Sequence, residues 1–248
     1  MLGILSDVGN VRKTNEDSVG YFEGNDIEIY IVADGMGGHN AGEVASELAT
    51  KIIIDYVKNN HNGLDMKEVL SEGIKSANKE IYNVASENES LKGMGTTVTI
   101  CLKKQSKMVV ANVGDSSCYI IDNKRELLKI TRDHSLVQQL LDNGTITEEK
   151  ARNHPNKNII TRALGTNELV EVDLFDVDLT NVIKCVLCTD GLTNDVTYDE
   201  MYDIIMENDN ATSCKMLVDL SKSKGGRDNI SVIIFEGECR DDRNHIRE

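Results

Sequence analysis

The strand-forming segments of this chain come in neighbouring groups and its helix-forming segments in pairs, an order that argues against strict β-α-β alternation and a doubly wound parallel sheet. Ile27-Glu-Ile-Tyr-Ile-Val32 alternates as a strand does and runs directly into Ala33-Asp34-Gly35. After a glycine-rich turn, Ala45, Leu48, Ala49, Ile52, Ile53 and Tyr56 fall on one face of a helix that Asn59-Asn60 and Gly63 stop. A second helix buries Leu70, Ile74, Ala77, Ile81 and Val84, and Asp65-Met-Lys-Glu68 has the form of a capping box at its start. Thr96–Leu102 alternates again, and Met108–Val113 and Cys118–Ile121 flank Gly114-Asp115, the pattern of a hairpin in an antiparallel sheet. Ser135–Arg152 reads as short helices joined by Asn143-Gly144. Two later strands, Ile183–Cys188 and Ile230–Phe235, bracket helices around Tyr198–Glu207 and Ala211–Ser221, the first capped by Thr197-Tyr-Asp-Glu200. The expectation is an α+β fold in one domain over residues 1–240, with the charged segment 241–248 frayed.

A net charge of −15 over 248 residues argues against nucleic acid or an anionic membrane as a partner. No stretch approaches the roughly 18–20 apolar residues that span a bilayer, and residues 1–10 lack the basic start and apolar run of a secretory signal, so a cytoplasmic protein is expected. The six cysteines mostly sit in apolar strand-like runs, where a thiol behaves as a small hydrophobe. Cys185 and Cys188 have C-x-x-C spacing, but strand alternation puts their sulfurs on opposite faces, against a redox or zinc role.

Chemistry is carried by where the aspartates fall. Asp34 and Asp190 each end an apolar strand and precede a glycine, Asp115 sits in a turn between strands, and Asp228 begins the last strand. Each alone has an ordinary reading, since Asp-Gly is a common turn dipeptide. Together, carboxylates at strand ends that meet at one rim repel each other unless a cation holds them. Oxygen-only ligands select hard divalent ions, Mg²⁺, Mn²⁺ or Ca²⁺, and a pair of such ions makes hydroxide available near neutral pH and clamps a displacement at phosphorus. A phosphate also needs a donor of fixed geometry, and Arg12, just before Glu16-Asp17, is the best placed in sequence. Position alone leaves open whether Arg12 grips phosphate or pairs with Glu16 or Asp17 on the surface.

Seven motifs, Arg12-Lys-Thr-Asn-Glu-Asp-Ser18, Val32-Ala-Asp-Gly-Met-Gly-Gly-His39, Gly93-Met-Gly-Thr-Thr97, Asn112-Val-Gly-Asp-Ser116, Thr161-Arg-Ala-Leu-Gly165, Cys188-Thr-Asp-Gly-Leu192 and Gly226-Arg-Asp-Asn-Ile-Ser231, resemble in order and spacing the bacterial metal-dependent protein phosphatases of type 2C. The resemblance covers essentially the whole chain. It implies a four-layer α/β/β/α sandwich of two packed antiparallel sheets flanked by helices, with a binuclear metal centre of Mn²⁺ or Mg²⁺ at one rim. It implies that Asp34 bridges both ions, that the Gly35 carbonyl joins one of them, and that Asp190 and Asp228 ligate the other. Glu16 and Asp17 then act on the metals directly or through water, Arg12 binds the phosphate, and Asp115 with Asp190 supports a third, weaker metal. Residues 136–160 correspond to a mobile flap beside the site.

The implied reaction is direct attack by metal-activated water on phosphoserine or phosphothreonine, without a phosphoenzyme. Implied partners are phosphorylated proteins, among them a cognate serine/threonine kinase and its substrates, met by a monomer. Two departures stand out: Ser117 follows Gly-Asp-Ser where many members have arginine, and Met36 follows Asp34-Gly35 where some have a histidine that is a proposed general acid. His39, close by in sequence, is the candidate to replace that acid. Competing readings are a phosphatase narrowed to one regulatory partner, a catalytically inactive phosphoprotein-binding module and a calcium-binding structural domain. The last lacks the Asp-x-Asp-x-Asp-Gly loop.

Overall fold

The structure is a computed structural model describing residues 2–38, 41–152 and 154–239, without the side chains at 148 and 152. His39 and the segment 241–248 therefore lie outside the described residues.

In chain order the elements are β1 (Gly3–Asp7), β2 (Asp17–Glu23), β3 (Glu28–Met36), α1 (Ala41–Asn60), α2 (Met66–Glu87), β4 (Gly95–Thr96), β5 (Val98–Lys104), β6 (Lys107–Val113), β7 (Ser117–Asp122), β8 (Leu127–Lys129), α3 (Leu136–Asp142), α4 (Glu148–Arg152), β9 (Asp173–Asp178), β10 (Val182–Cys188), α5 (Asp190–Thr193), α6 (Tyr198–Glu207), α7 (Asn210–Lys224) and β11 (Ile230–Glu236). They form two sheets, β1-β11-β10-β7-β8 and β2-β3-β5-β6-β9, with β4 paired to β3. Every pairing in both is antiparallel.

Strand alternation sorts the side chains into three apolar layers. Between the sheets lie Tyr30, Val32, Cys101, Val110, Cys118, Ile120, Cys185, Leu187 and Ile233, with Tyr30 stacked on Phe235 at 4.0 Å between ring centroids. The other face of β3 and β5, through Ile29, Ile31 and Ile100, packs on Ala45, Ala49 and Ile53 of α1 and Leu70, Ile74 and Ile81 of α2. Val186, Cys188, Val232 and Ile234 turn instead toward Met201, Ile205, Leu217 and Val218 of α6 and α7. The expected α/β/β/α sandwich is thus the observed one, and Cys185 and Cys188 do point to opposite faces.

The helix starts follow local chemistry. Asp65 accepts from the amides of Lys67 and Glu68, and Thr197 with Glu200 forms a reciprocal capping box. One expectation fails: Gly114-Asp115 is no hairpin. The strand β6 belongs to one sheet and β7 to the other, so this turn carries the chain across the sandwich. The hairpin lies one strand earlier, between β5 and β6, with Gln105 at φ 54° in its turn.

Candidate active site

The acidic residues predicted from sequence gather where both sheets end at the same rim. Asp34 does not terminate β3, because the strand continues through Gly35 and Met36 by pairing with Thr96 and Gly95 of β4. The Asp34 amide donates to Thr97 Oγ1 at 3.1 Å and its carbonyl accepts from the Thr97 amide at 2.9 Å, fixing the backbone that carries the carboxyl. Asp17 lies opposite Asp34 in the β2–β3 register. Asp190 opens α5 from the other sheet, Asp115 sits in the crossover turn, and Asp228 precedes β11.

Asp17 joins the two sheets. Its Oδ2 accepts from Thr189 Oγ1 at 2.8 Å and Ser231 Oγ at 2.7 Å, while the buried Oδ1 has no hydrogen-bond partner. Asp115, 9% exposed, likewise has a buried Oδ1 without a partner. Asp190 Oδ2 accepts from Asn194 Nδ2 at 3.0 Å, and Asn194 Oδ1 accepts from Lys157 Nζ of the segment after α4 at 2.8 Å.

Glu16 is built into the start of α1. Its carbonyl accepts from Ser46 Oγ at 2.6 Å and from the Gly35 amide at 3.1 Å, and its amide donates to Asn229 Oδ1 at 2.8 Å. This junction needs two glycines face to face: a Cβ on Gly35 would stand 2.1 Å from the Gly42 carbonyl oxygen, and one on Gly42 would stand 2.8 Å from the Gly35 carbonyl carbon. No side chain fits between these backbones.

Burial and mutual repulsion push these acids upward. The Asp34 carboxyl lies well above the usual carboxylate range, first because it is buried and then because Asp17, Asp190, Asp115 and Asp228 face it. Burial raises Asp17 to about 7 against its two hydroxyl donors, and Asp190 and Asp228 add to the rise. Asp115 rises to about 8 through burial and Asp190. Asp190 and Glu16 are also raised, burial leading in both.

Arg12 pairs with neither acid expected from sequence proximity. Its guanidinium forks onto Asp228, Nε to Oδ1 and Nη2 to Oδ2, each at 2.9 Å, with half of the side chain exposed. Asp228 raises its pKa most, and Glu16 and Asp34 reinforce that.

The donors are all oxygens, they are crowded, and two of their buried oxygens lack partners, which is the chemistry of a site for hard divalent cations. Among the described residues no three acidic, histidine or cysteine side chains are already drawn close enough to enclose one ion. Asp228 leans on Arg12 and Asp190 on Asn194, as like charges do when each takes a nearby donor. The sequence reading missed the roles of Thr189, Asn194, Asn229, Ser231 and Gly42; Thr189, inside the motif around Asp190, and Asn229 and Ser231, inside the motif around Asp228, gave a signal.

Comparison with known proteins agrees with this geometry. The family model for protein phosphatase 2C matches residues 10–216. The chain is 44% identical over 236 residues to the serine/threonine phosphatase stp of Listeria monocytogenes, covering 93% of each, and 34% identical to the protein phosphatase PhpP of Streptococcus pneumoniae, covering 94% of this chain and 96% of that one. Its fold superposes on the serine/threonine phosphatase PstP/Ppp of Mycobacterium tuberculosis with a TM-score of 0.86 at 34% identity, covering 96% of this chain and 99% of the other. It also superposes, with a TM-score of 0.82 at 32% identity and 94% and 96% coverage, on the catalytic domain of PstP in complex with two manganese ions. Motifs, layer order, rim carboxylates and these likenesses agree, and the chain belongs to the protein phosphatase 2C family.

Proposed function

We propose that this chain is a metal-dependent protein serine/threonine phosphatase, with residues 1–240 as one catalytic domain and residues 136–160 as a flap beside the site. Its ions are Mn²⁺ or Mg²⁺, two per chain with a weaker third. Asp34, the Gly35 carbonyl, Asp190 and Asp228 would hold the pair of ions, and Glu16 and Asp17 would support them directly or through water. Asp115 with Asp190 would take the third ion. The observation that carries this reading is the convergence of Asp17, Asp115, Asp190 and Asp228 on Asp34, with two buried carboxylate oxygens left unpartnered. The two manganese ions of the PstP structure, on the same fold, point the same way.

When bound, such ions supply Lewis acidity toward water and the phosphoryl oxygens and offset the carboxylate charge. The protein's own groups do the rest. Thr189 and Ser231 hold one oxygen of Asp17, so the other stays directed into the site. Arg12, already presenting its fork at Asp228 on the exposed rim, offers the same two N–H groups to two oxygens of a phosphomonoester. Asn229 locks the Glu16 main chain and, through its side-chain amide, donates to the carbonyls of Val8 and Thr14 at 3.0 Å each, fixing the loop on which Arg12 rides. Phosphorylated proteins are the substrates, a serine/threonine kinase of the same cell and its targets among them, and the enzyme works as a monomer in the cytoplasm. Among the described residues no helix is long and apolar enough to cross a membrane.

Hydrolysis of a phosphothreonine peptide by the purified protein tests the proposal. Phosphate release in Mn²⁺ that excess chelator abolishes is the expected result. Folded protein that releases none with any divalent ion overturns it in favour of a phosphoprotein-binding module.

A further inference from the structure

We infer that His134 is a positioning residue that holds the Asp115 turn and the root of the flap as one rigid unit, so that the aim of Asp115 depends on how the flap is anchored. The inference rests on the phosphatase reading above.

His134 grips both polar atoms of the Gly114 main chain. Its amide donates to the Gly114 carbonyl at 2.8 Å, and the Gly114 amide donates to its imidazole Nδ1 at 3.0 Å. The same residue closes the flap. Its carbonyl accepts from the Thr161 amide at 2.8 Å, Ser135 bridges to Ile160, and the Leu136 amide donates to the Ile159 carbonyl at 2.9 Å. The two ends of the segment are thus laced together at His134.

The ring is held in one orientation. Because Nδ1 accepts, the ring proton is on Nε2, 3.1 Å from Asp173 Oδ2. Arg162 Nη1 donates to the other oxygen of Asp173 at 2.7 Å and stands 2.9 Å from Nε2, so β9 and Arg162 together fix the imidazole from behind and aim Nδ1 at Gly114. The ring is 8% exposed, and its burial lowers its pKa, with Arg162 helping and Asp173 opposing, in keeping with the neutral ring that the Gly114 contact requires.

Asn112 Nδ2 also donates to the Gly114 carbonyl at 3.2 Å and Ser116 Oγ meets Thr97 Oγ1 at 2.9 Å, while the Gly114 amide rests on the imidazole. Gly114 has φ +116°, and a Cβ there would stand 2.4 Å from Thr97 Cβ, so its backbone is wedged against the residue whose hydroxyl accepts from the Asp34 amide. Asp115 Oδ1 has no hydrogen-bond partner, so the carboxylate inherits its direction from the main chain that His134 holds.

Two substitutions separate this role from mere packing. In His134→Asn the side-chain carbonyl takes the place of Nδ1 and accepts from Gly114; in His134→Gln the amide reaches the place of Nε2 toward Asp173 and leaves the Gly114 amide without its acceptor. The readouts are calorimetric titration with Mn²⁺ alone, hydrogen exchange at the Gly114 amide, tryptic cleavage after Lys150 or Lys157, and kcat with KM on a phosphothreonine peptide. Expected for His134→Gln is loss of Mn²⁺ affinity at the weakest site by about 10–100-fold, the range for removing an outer partner of a metal ligand. Faster Gly114 exchange, faster cleavage and a fall in kcat larger than the change in KM go with it, while His134→Asn stays close to wild type.

Equal behaviour of both variants, whether both like wild type or both impaired alike, overturns the proposal. Should His134→Gln not fold, Asp173→Ala serves: Gly114 exchange must quicken with the ring's rear support gone, and unchanged exchange refutes the inference. Wild-type protein that binds Mn²⁺ without hydrolysing the peptide sinks the phosphatase reading alone, since exchange and cleavage still report the anchor.

Discussion

Asp17 and Asp34 stand opposite each other in the antiparallel register of β2 and β3, so two carboxyls project from the same face of one sheet. Register places them there whatever the charge costs, and each protonates more readily than a free aspartate.

Burial pushes the Asp17 carboxyl up to about 7 in the folded protein, above the ordinary aspartate value of 3.8, so the folded protein binds this proton more tightly than the unfolded chain. That contribution to stability is fully present below about pH 4 and is lost as pH rises through about 7. In chelator, Asp17→Asn should therefore melt above wild type at about pH 8, with the gap closing toward about pH 5. A calorimetric series over that range, showing instead a gap that widens on acidification, would mean that the carboxylate is not strained.

Asp34→Ala and Asp190→Ala should each abolish Mn²⁺-dependent phosphate release while leaving circular dichroism unchanged and the melting temperature in chelator at or above that of wild type. Removing one of several like charges relieves repulsion in the metal-free protein. Either variant turning over at the wild-type rate would take its residue out of the centre.

Arg12→Ala should raise KM more than it lowers kcat, because the exposed fork binds the phosphate in substrate and transition state alike. Arg12→Lys should recover little, since an ammonium cannot reproduce the planar fork. The stability change stays within about 1 kcal/mol, as for exposed ion pairs. Steady-state kinetics with a phosphopeptide decide, and an unchanged KM removes Arg12 from the phosphate site.

Asn194→Ala withdraws the donor on Asp190 Oδ2 and the acceptor for Lys157 together. Metal affinity should drop by about 10–100-fold. Excess Mn²⁺ should restore kcat, and a variant with wild-type affinity would make this contact incidental.

Gly35→Ala places a methyl 2.1 Å from a backbone oxygen of α1. Backbone cannot rotate aside as a side chain can, so a loss of about 1–3 kcal/mol or more is expected in urea unfolding. Wild-type stability would show that the start of α1 moves freely.

The inner strands and the long helices were legible because they are buried on both faces or along a stripe and carry dense apolar patterns. The strands β1, β2, β8 and β9 escaped the reading, and they are the outermost strands of the two sheets. Edges carry charge and polar residues that blur period 2, as in Asp173-Leu-Phe-Asp-Val-Asp178. The Gly114-Asp115 error has a different origin: a turn between two strands reads alike whether they pair or part, and only the packing of Val110 and Ile120 between the sheets separates the cases. The rim carboxylates were legible because charge at the end of an apolar run is conspicuous. Asn194 and Gly42 were not, being ordinary residue types whose work lies in contacts with segments distant in the chain.

The pairing of Arg12 with Asp228 joins positions 216 apart, and β11 lies between β1 and β10 in its sheet. A chain emerging from the ribosome therefore has no finished catalytic rim until its last strand is released from the exit tunnel. A chain cut ahead of Asp228 would lack the partners that Arg12, Glu16 and Asp17 take from this segment.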